Sequence, residues 1–282
     1  MDIVIRPMHP DDADPARIVA DAALGVPQRA ESEDQRLTRV RSRITHLLAT
    51  DPGGAWVAEF GGDVVGLSLA LIREGIWGLS LFAVAPDLQG QGIGKQLLDR
   101  AVAYGADARG GIILSSEDPK AMRRYARAGF DLRPTVAAAG IVDRSAIPGG
   151  LPVREAGADG FELAAQVDRE IRGAAHGQDL EEMLRHTFRL HVCDGRGYVV
   201  EREGRVVLLA ARDEESAQAL LWAGLAKSPP GGTVDFDFIA AGQDWAIDVA
   251  LSAGLALSPN GAIFVRGELG PLAPYLPNGA YL

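Results

Sequence analysis

The segment Gln89-Gly-Gln-Gly-Ile-Gly-Lys95 puts three glycines into five positions. A β-branched and aromatic run at residues 79–84 precedes it and is closed by Pro86. Apolar residues then recur at helical spacing, at Ile93, Leu97, Leu98, Ala101 and Val102. A strand that feeds a glycine-dense turn into a helix N-terminus is built to hold a phosphate. The unpaired N–H groups and the helix dipole face an anion, and glycine lets the backbone come close to it. The spacing narrows the ligand. A nucleotide P-loop needs glycine five positions before Gly94 and Ser or Thr after the lysine, and the chain has Gln89 and Gln96 there. A dinucleotide fingerprint needs a third glycine where Lys95 stands.

What remains is Gln89-x-x-Gly92-x-Gly94 after a strand ending in Val-x-Pro. A second pattern follows a short strand at residues 112–114: Asp118-Pro-Lys-Ala121-Met-Arg-Arg-Tyr125-Ala-Arg-Ala-Gly129-Phe130. Local chemistry accounts for it as a helix, with Asp118 as N-cap, Pro119 at N1 and Gly129 in the left-handed position past the end. The first pattern resembles motif A of the GNAT superfamily of N-acetyltransferases. The second resembles its motif B, with Asp118 where Asn is usual. Together they cover about residues 55–131.

The resemblance implies that the loop binds the pyrophosphate of acetyl-CoA. The N–H groups of Gly90, Gln91, Gly92, Ile93, Gly94 and Lys95 would do this, with Gln89 adding a side-chain contact. It also implies that Phe82, Ala83 and Val84 carry main-chain N–H groups that bond the pantetheine and polarise the acetyl carbonyl. Tyr125 is then the general acid that protonates the departing thiolate. The expected reaction is direct acetyl transfer to the amine of a small molecule in a ternary complex. A catalytically silent acyl-CoA sensor and a transferase of another acyl group are the alternatives. No general base is evident. Trp77 and Gly78 stand where some relatives carry a carboxylate, and Glu74 and Glu117 read as turn and loop residues.

The bulk numbers bound the partners. The chain has 282 residues, 47% of them hydrophobic and 23% charged, enough for two soluble domains. A formal charge of −10 argues against a nucleic-acid partner. No apolar run approaches the roughly 20 residues of a membrane span. The single cysteine, Cys193, excludes internal disulfides and suits a cytoplasmic setting, and the opening 1–4 run reads as strand and leaves no room for a signal peptide. Zinc is not expected, because His186 and His191 would sit on different faces of a helix. The expected assembly is a monomer or homodimer.

The organisation looks duplicated. Arg6 and Arg154 each sit in a first strand before a helix, and the Ala121/Gly129 spacing recurs at Ala246 and Gly254. The expected fold class is α/β (a mixed α+β sheet). It comprises two tandem GNAT-like domains, each a mostly antiparallel sheet flanked by helices: a catalytic domain at 1–144, a linker at 145–152 and a degenerate copy at 152–282. In the copy a strand at 205–211 runs into Asp213-Glu-Glu with no glycine loop, and Ala250 replaces the tyrosine. Acidic residues at a helix start satisfy its dipole and repel pyrophosphate. Further expectations are a cap at Asp14, strands at 197–202 and 204–211, and a helix at 179–190. The 168–177 segment with His176 is a candidate acceptor contact. The uncharged 271–282 tail is expected to wall the acceptor cleft, with the terminal carboxylate of Leu282 as a candidate base.

Overall fold

A computed structural model describes residues 3–25 and 32–282, so the strand reading at residues 1–2 lies outside it. The chain packs as two compact units, residues 1–108 with Tyr281, and residues 109–280 with Leu282.

The first unit opens with strand β1 (Ile3–Pro7) and helices α1 (Ala13–Leu24) and α2 (Glu33–Thr50). Strands β2 (Ala55–Phe60), β3 (Asp63–Arg73) and β4 (Ile76–Val84) follow, then helix α3 (Ile93–Tyr104). The strands pair antiparallel in chain order. Helix α2 is capped as its sequence requires, with Ser32 and Gln35 bonding each other's main-chain N–H groups. Helix α1 starts differently from expectation. It begins at Ala13, so Asp14 lies in its first turn, and Asp12 is taken by the Arg6 guanidinium and the His9 N–H. A buried carboxylate, Asp51, ties three elements together. It accepts from the Ile72 N–H at 2.9 Å, Arg73 at 2.8 Å and the Tyr104 hydroxyl at 3.0 Å. With its lone pairs filled, the charge is held without leaving an orphaned polar group.

The second unit contains strand β5 (Gly110–Ser115), helix α4 (Pro119–Arg127) and strand β6 (Asp131–Ile141). The remaining elements are β7 (Arg154–Ala156), α5 (Phe161–Ile171), α6 (Gln178–Leu184), β8 (Arg189–Cys193), β9 (Gly197–Arg202) and β10 (Arg205–Ala211). Then come α7 (Glu214–Leu225), β11 (Thr233–Ala240), α8 (Asp244–Ser252), β12 (Ala256–Gly267) and β13 (Tyr275–Leu276). Strand β12 lies between β5 and β6, with β11 on the outer edge of β6, all antiparallel. A separate sheet runs β13-β10-β9-β8-β7. The core contains Leu209, Leu220, Leu221, Phe236 and Trp245, which join α7 and α8 to β10 and β11.

One expectation is corrected. The 179–190 helix stops at Leu184, because Thr187 takes a left-handed φ of 66° and the chain re-emerges as β8. His191 is therefore a strand residue, buried at 3.0 Å from Glu201. The tail packs as structure. β13 pairs with β10, and Leu272, Tyr275 and Leu276 are buried.

Candidate active site

In the first unit the glycine loop forms as its sequence requires. Gly90 and Gly92 hold φ of 85° and 87°, in the left-handed region that a side chain resists, and a Cβ added at either would meet only open space. Gly92 is the N-cap of α3, and no side chain caps that helix. The main-chain N–H groups of Gly90, Gln91 and Gly92 are exposed and donate to no acceptor among the described residues. The result is an open, uncapped helix start with main-chain donors to spare, which fits a phosphate.

Packing fixes the loop on its strand. Ile93 and Leu97 are buried with Ala58 and Val65, and Phe82, Val84 and Leu88 pack against them. The end of β4 and the start of α3 thus share one apolar cluster. Ala83 points to the other face and is buried. The Gln89 amide donates to the Val84 carbonyl at 3.1 Å, which ties loop to strand. Gly94 is buried inside α3, and the Lys95 ammonium sits 2.6 Å from Asp99 on the exposed side of the helix.

One feature of this unit escaped the sequence reading. Strand β4 carries a bulge, since Leu81 faces Leu69 and Leu79 faces Ala70, leaving Ser80 out of register. The Arg43 guanidinium on α2 donates to the Ser80 hydroxyl at 2.9 and 2.8 Å and also bonds its carbonyl. Burial pushes Arg43 down to about 10, with Tyr281 opposing the fall and Arg39 adding to it, and it stays a cation at neutral pH. The available signal was the basic stripe Arg36, Arg39, Arg43 and His46 along one face of α2.

In the second unit, Tyr125 projects from α4 into the protein, 5% exposed, with its ring edge-on to Phe264 at 5.4 Å. The helix has the expected ends. Asp118 accepts from the Lys120 N–H at 2.9 Å, Gly129 holds φ of 85°, and the Phe130 N–H reaches back to the Tyr125 carbonyl. Burial pushes the Tyr125 phenol well above its ordinary value, and Asp118 adds to this while Arg124 opposes it. The group is therefore neutral and able to donate at any physiological pH.

At the start of helix α7, Asp213 accepts from the Ser216 N–H at 2.8 Å, with Glu214 and Glu215 in the first turn. Burial would raise the Asp213 carboxyl. The Ser216 N–H and hydroxyl and the Arg196 guanidinium outweigh this and hold it below its ordinary value. Ala250 is fully buried and carries no proton.

The other candidates fall outside the site. Glu74 occupies the exposed β3–β4 turn at a φ of 44°, and Glu117 is exposed in a loop. His176 is fully buried rather than placed to meet an acceptor. Its Nδ1 lies 2.8 Å from Asp168, which also accepts from the Tyr198 hydroxyl, and its Nε2 lies 2.8 Å from the Leu282 main-chain oxygen. The same oxygen accepts from the Tyr275 hydroxyl at 2.9 Å, so it is sequestered and not available as a base. The tail does line a pocket of about 260 Å³ in this unit, with Ile112, Arg133, Pro134 and Ile263 opposite Leu272 and Tyr275. Among the described residues no cluster of His, Cys, Asp and Glu is arranged to hold a metal, and no helix is long and apolar enough to cross a membrane.

Comparison with known proteins agrees with this geometry. Residues 22–130 match the model of the acetyltransferase (GNAT) family. A putative acetyltransferase from Pyrococcus horikoshii shares the fold at a TM-score of 0.81 and 18% identity, covering 99% of this chain and 95% of that one. A GCN5-related N-acetyltransferase from Kribbella flavida aligns at a TM-score of 0.60 and 18% identity, over 97% of this chain and 73% of its own. A tandem GNAT protein from the clavulanic acid biosynthesis pathway aligns at 0.61 and 16%, over 94% and 98%. No curated protein matches in sequence.

Proposed function

We propose that this chain, a GNAT superfamily protein with its family domain at residues 22–130, is an N-acetyltransferase that moves the acetyl group of acetyl-CoA to the amine of a small molecule. The observation that carries the reading is the uncapped start of α3, where Gly90 and Gly92 are exposed, hold left-handed φ and leave open space around them. The loop binds the pyrophosphate, and those main-chain N–H groups of the 82–84 stretch that face away from β3 polarise the thioester carbonyl. The amine lone pair attacks the carbonyl carbon. The C–S bond breaks with its electron pair on sulfur, and Tyr125 supplies the proton that makes it a thiol. The nitrogen's surplus proton leaves to solvent, and the phenolate is reprotonated.

Burial weakens the Tyr125 phenol as an acid, so transfer to the departing thiolate depends on that thiolate being desolvated in the same site. The second repeat, with its acidic helix start, has a structural role, and the boundary between the repeats lies at 145–152.

The test is to incubate the protein with acetyl-CoA and a panel of small amines, reading released thiol and acetylated product. Amine-dependent release, abolished in Gly92→Val, supports the proposal. Tight coenzyme binding with no transfer to any amine would favour a sensor.

A further inference from the structure

We propose that the pocket walled by residues 271–275 is a second binding site of this chain, for a small monocarboxylate whose apolar body is about the size of a ring and whose charged end is held by Arg133. The pocket encloses about 260 Å³ within the second unit. Strand register decides which face it occupies. Arg133 on β6 lies opposite Ile263 on β12, and Ile112 on β5 lies opposite Val265, two positions further along β12. Paired residues, and residues two apart in a strand, share a face. Ile112, Arg133 and Ile263 therefore rise from one side of the sheet, and all three line the pocket. Phe264, which meets the Tyr125 ring, points to the other side. The transfer reaction thus leaves this pocket without a role.

The chemistry of the wall selects the ligand. Ile112, Ile263, Leu272 and Tyr275 are at most 7% exposed and make the wall apolar. The Gln243 amide is spent on the Leu272 carbonyl, the Trp245 indole and the Tyr275 N–H. The Tyr275 hydroxyl is spent on the Leu282 main-chain oxygen. Arg133 differs. It is the one charged side chain lining the pocket, it is exposed, and it has no hydrogen bond or ion pair among the described residues. A guanidinium is weakly hydrated and matches a carboxylate with two parallel bonds, so it gives up little water to take one. Volume sets the size. A cavity of about 150 Å³ accepts a benzene ring, so this one has room for a ring and a short arm. The wall is also preformed. The Leu272 N–H bonds the Ile171 carbonyl at 2.8 Å, the Gln243 amide holds the Leu272 carbonyl at 2.7 Å, and β13 pairs with β10. Little ordering is then needed when a ligand enters.

The probe is 3-phenylpropionate, titrated into the intact protein without acetyl-CoA and followed by calorimetry and amide chemical shifts. Saturable binding is expected, with shifts at residues 112, 133, 263 and 272. Affinity should exceed that of 3-phenylpropionamide and 3-phenylpropylamine by about tenfold or more, the scale of one charge-assisted contact. Arg133→Met should erase the preference for the acid over the amide, and Arg133→Lys should restore part of it. Ala241→Trp, at an exposed position on the rim, should block binding with the melting temperature unchanged. Acetate should not saturate. Equal affinity for acid and amide, or a preference that survives Arg133→Met, overturns the carboxylate assignment. Acetate binding as tightly as 3-phenylpropionate reduces the site to surface charge, and no saturable binding at all overturns the site. None of these readouts needs acetyl transfer, so each reading can fail without the other.

Discussion

Replacing Tyr125 by Phe isolates the chemistry of one hydroxyl. The ring is 5% exposed and packs edge-on to Phe264 at 5.4 Å, and phenylalanine preserves both the volume and that contact. The stability change is then limited to one hydroxyl's interactions, about 1 kcal/mol in either direction. The effect on turnover should be much larger. A positioned general acid contributes about 10²–10⁴-fold, which corresponds to roughly 3–5 kcal/mol of barrier. Because burial keeps the phenol protonated, the wild-type rate should show no alkaline decline from Tyr125 across the physiological range. The assay is kcat at saturating acetyl-CoA and amine, with coenzyme affinity measured separately by calorimetry and folding by thermal melt. A loss of two or more decades in kcat, at unchanged affinity and melting temperature, is the expected result. A kcat within about threefold of wild type would refute the assignment, and a parallel loss of affinity would show that the hydroxyl is structural.

Two further substitutions probe the units separately. Burial and the Asp51 carboxylate push the Tyr104 phenol up to about 12, so the folded state favours its neutral form. The stability this confers is present below pH 10 and is lost as pH rises toward 12, and Tyr104→Phe should flatten the fall in urea midpoint over that window. Tyr125, Tyr198 and Tyr275 are also raised, so part of the slope remains. Gln243→Ala removes the partner of the Leu272 carbonyl, the Trp245 indole and the Tyr275 N–H, all buried. It should cost about 3 kcal/mol of stability in chemical denaturation while leaving acetyl-CoA affinity intact, because the cradle lies in the other unit.

The cradle was legible in the sequence because local rules build it. Positive φ at Gly90 and Gly92, the Asp118 cap and the left-handed Gly129 are each set by residues a few positions apart. The acidic start of α7 was readable for the same reason. What escaped is nonlocal or lacks a residue-type signal. Thr187 ends α6 in a conformation that glycine or asparagine would have announced, so β8 was absorbed into a helix. The insertion of β12 between β5 and β6 pairs residues some 150 apart in sequence, which no periodicity marks. His176 and Asp168 carried the composition of a surface site and proved to anchor the tail through Leu282. The Arg43–Ser80 contact lay in a basic stripe on α2, whose partner appears only once Ser80 stands opposite it.

Calorimetric titration of the intact protein with acetyl-CoA tests the central claim most directly. One site per chain is expected, abolished by Gly92→Val, because a branched side chain resists the left-handed backbone at the start of α3 and blocks approach of the pyrophosphate. A stoichiometry of two, or binding that survives Gly92→Val, would contradict the account.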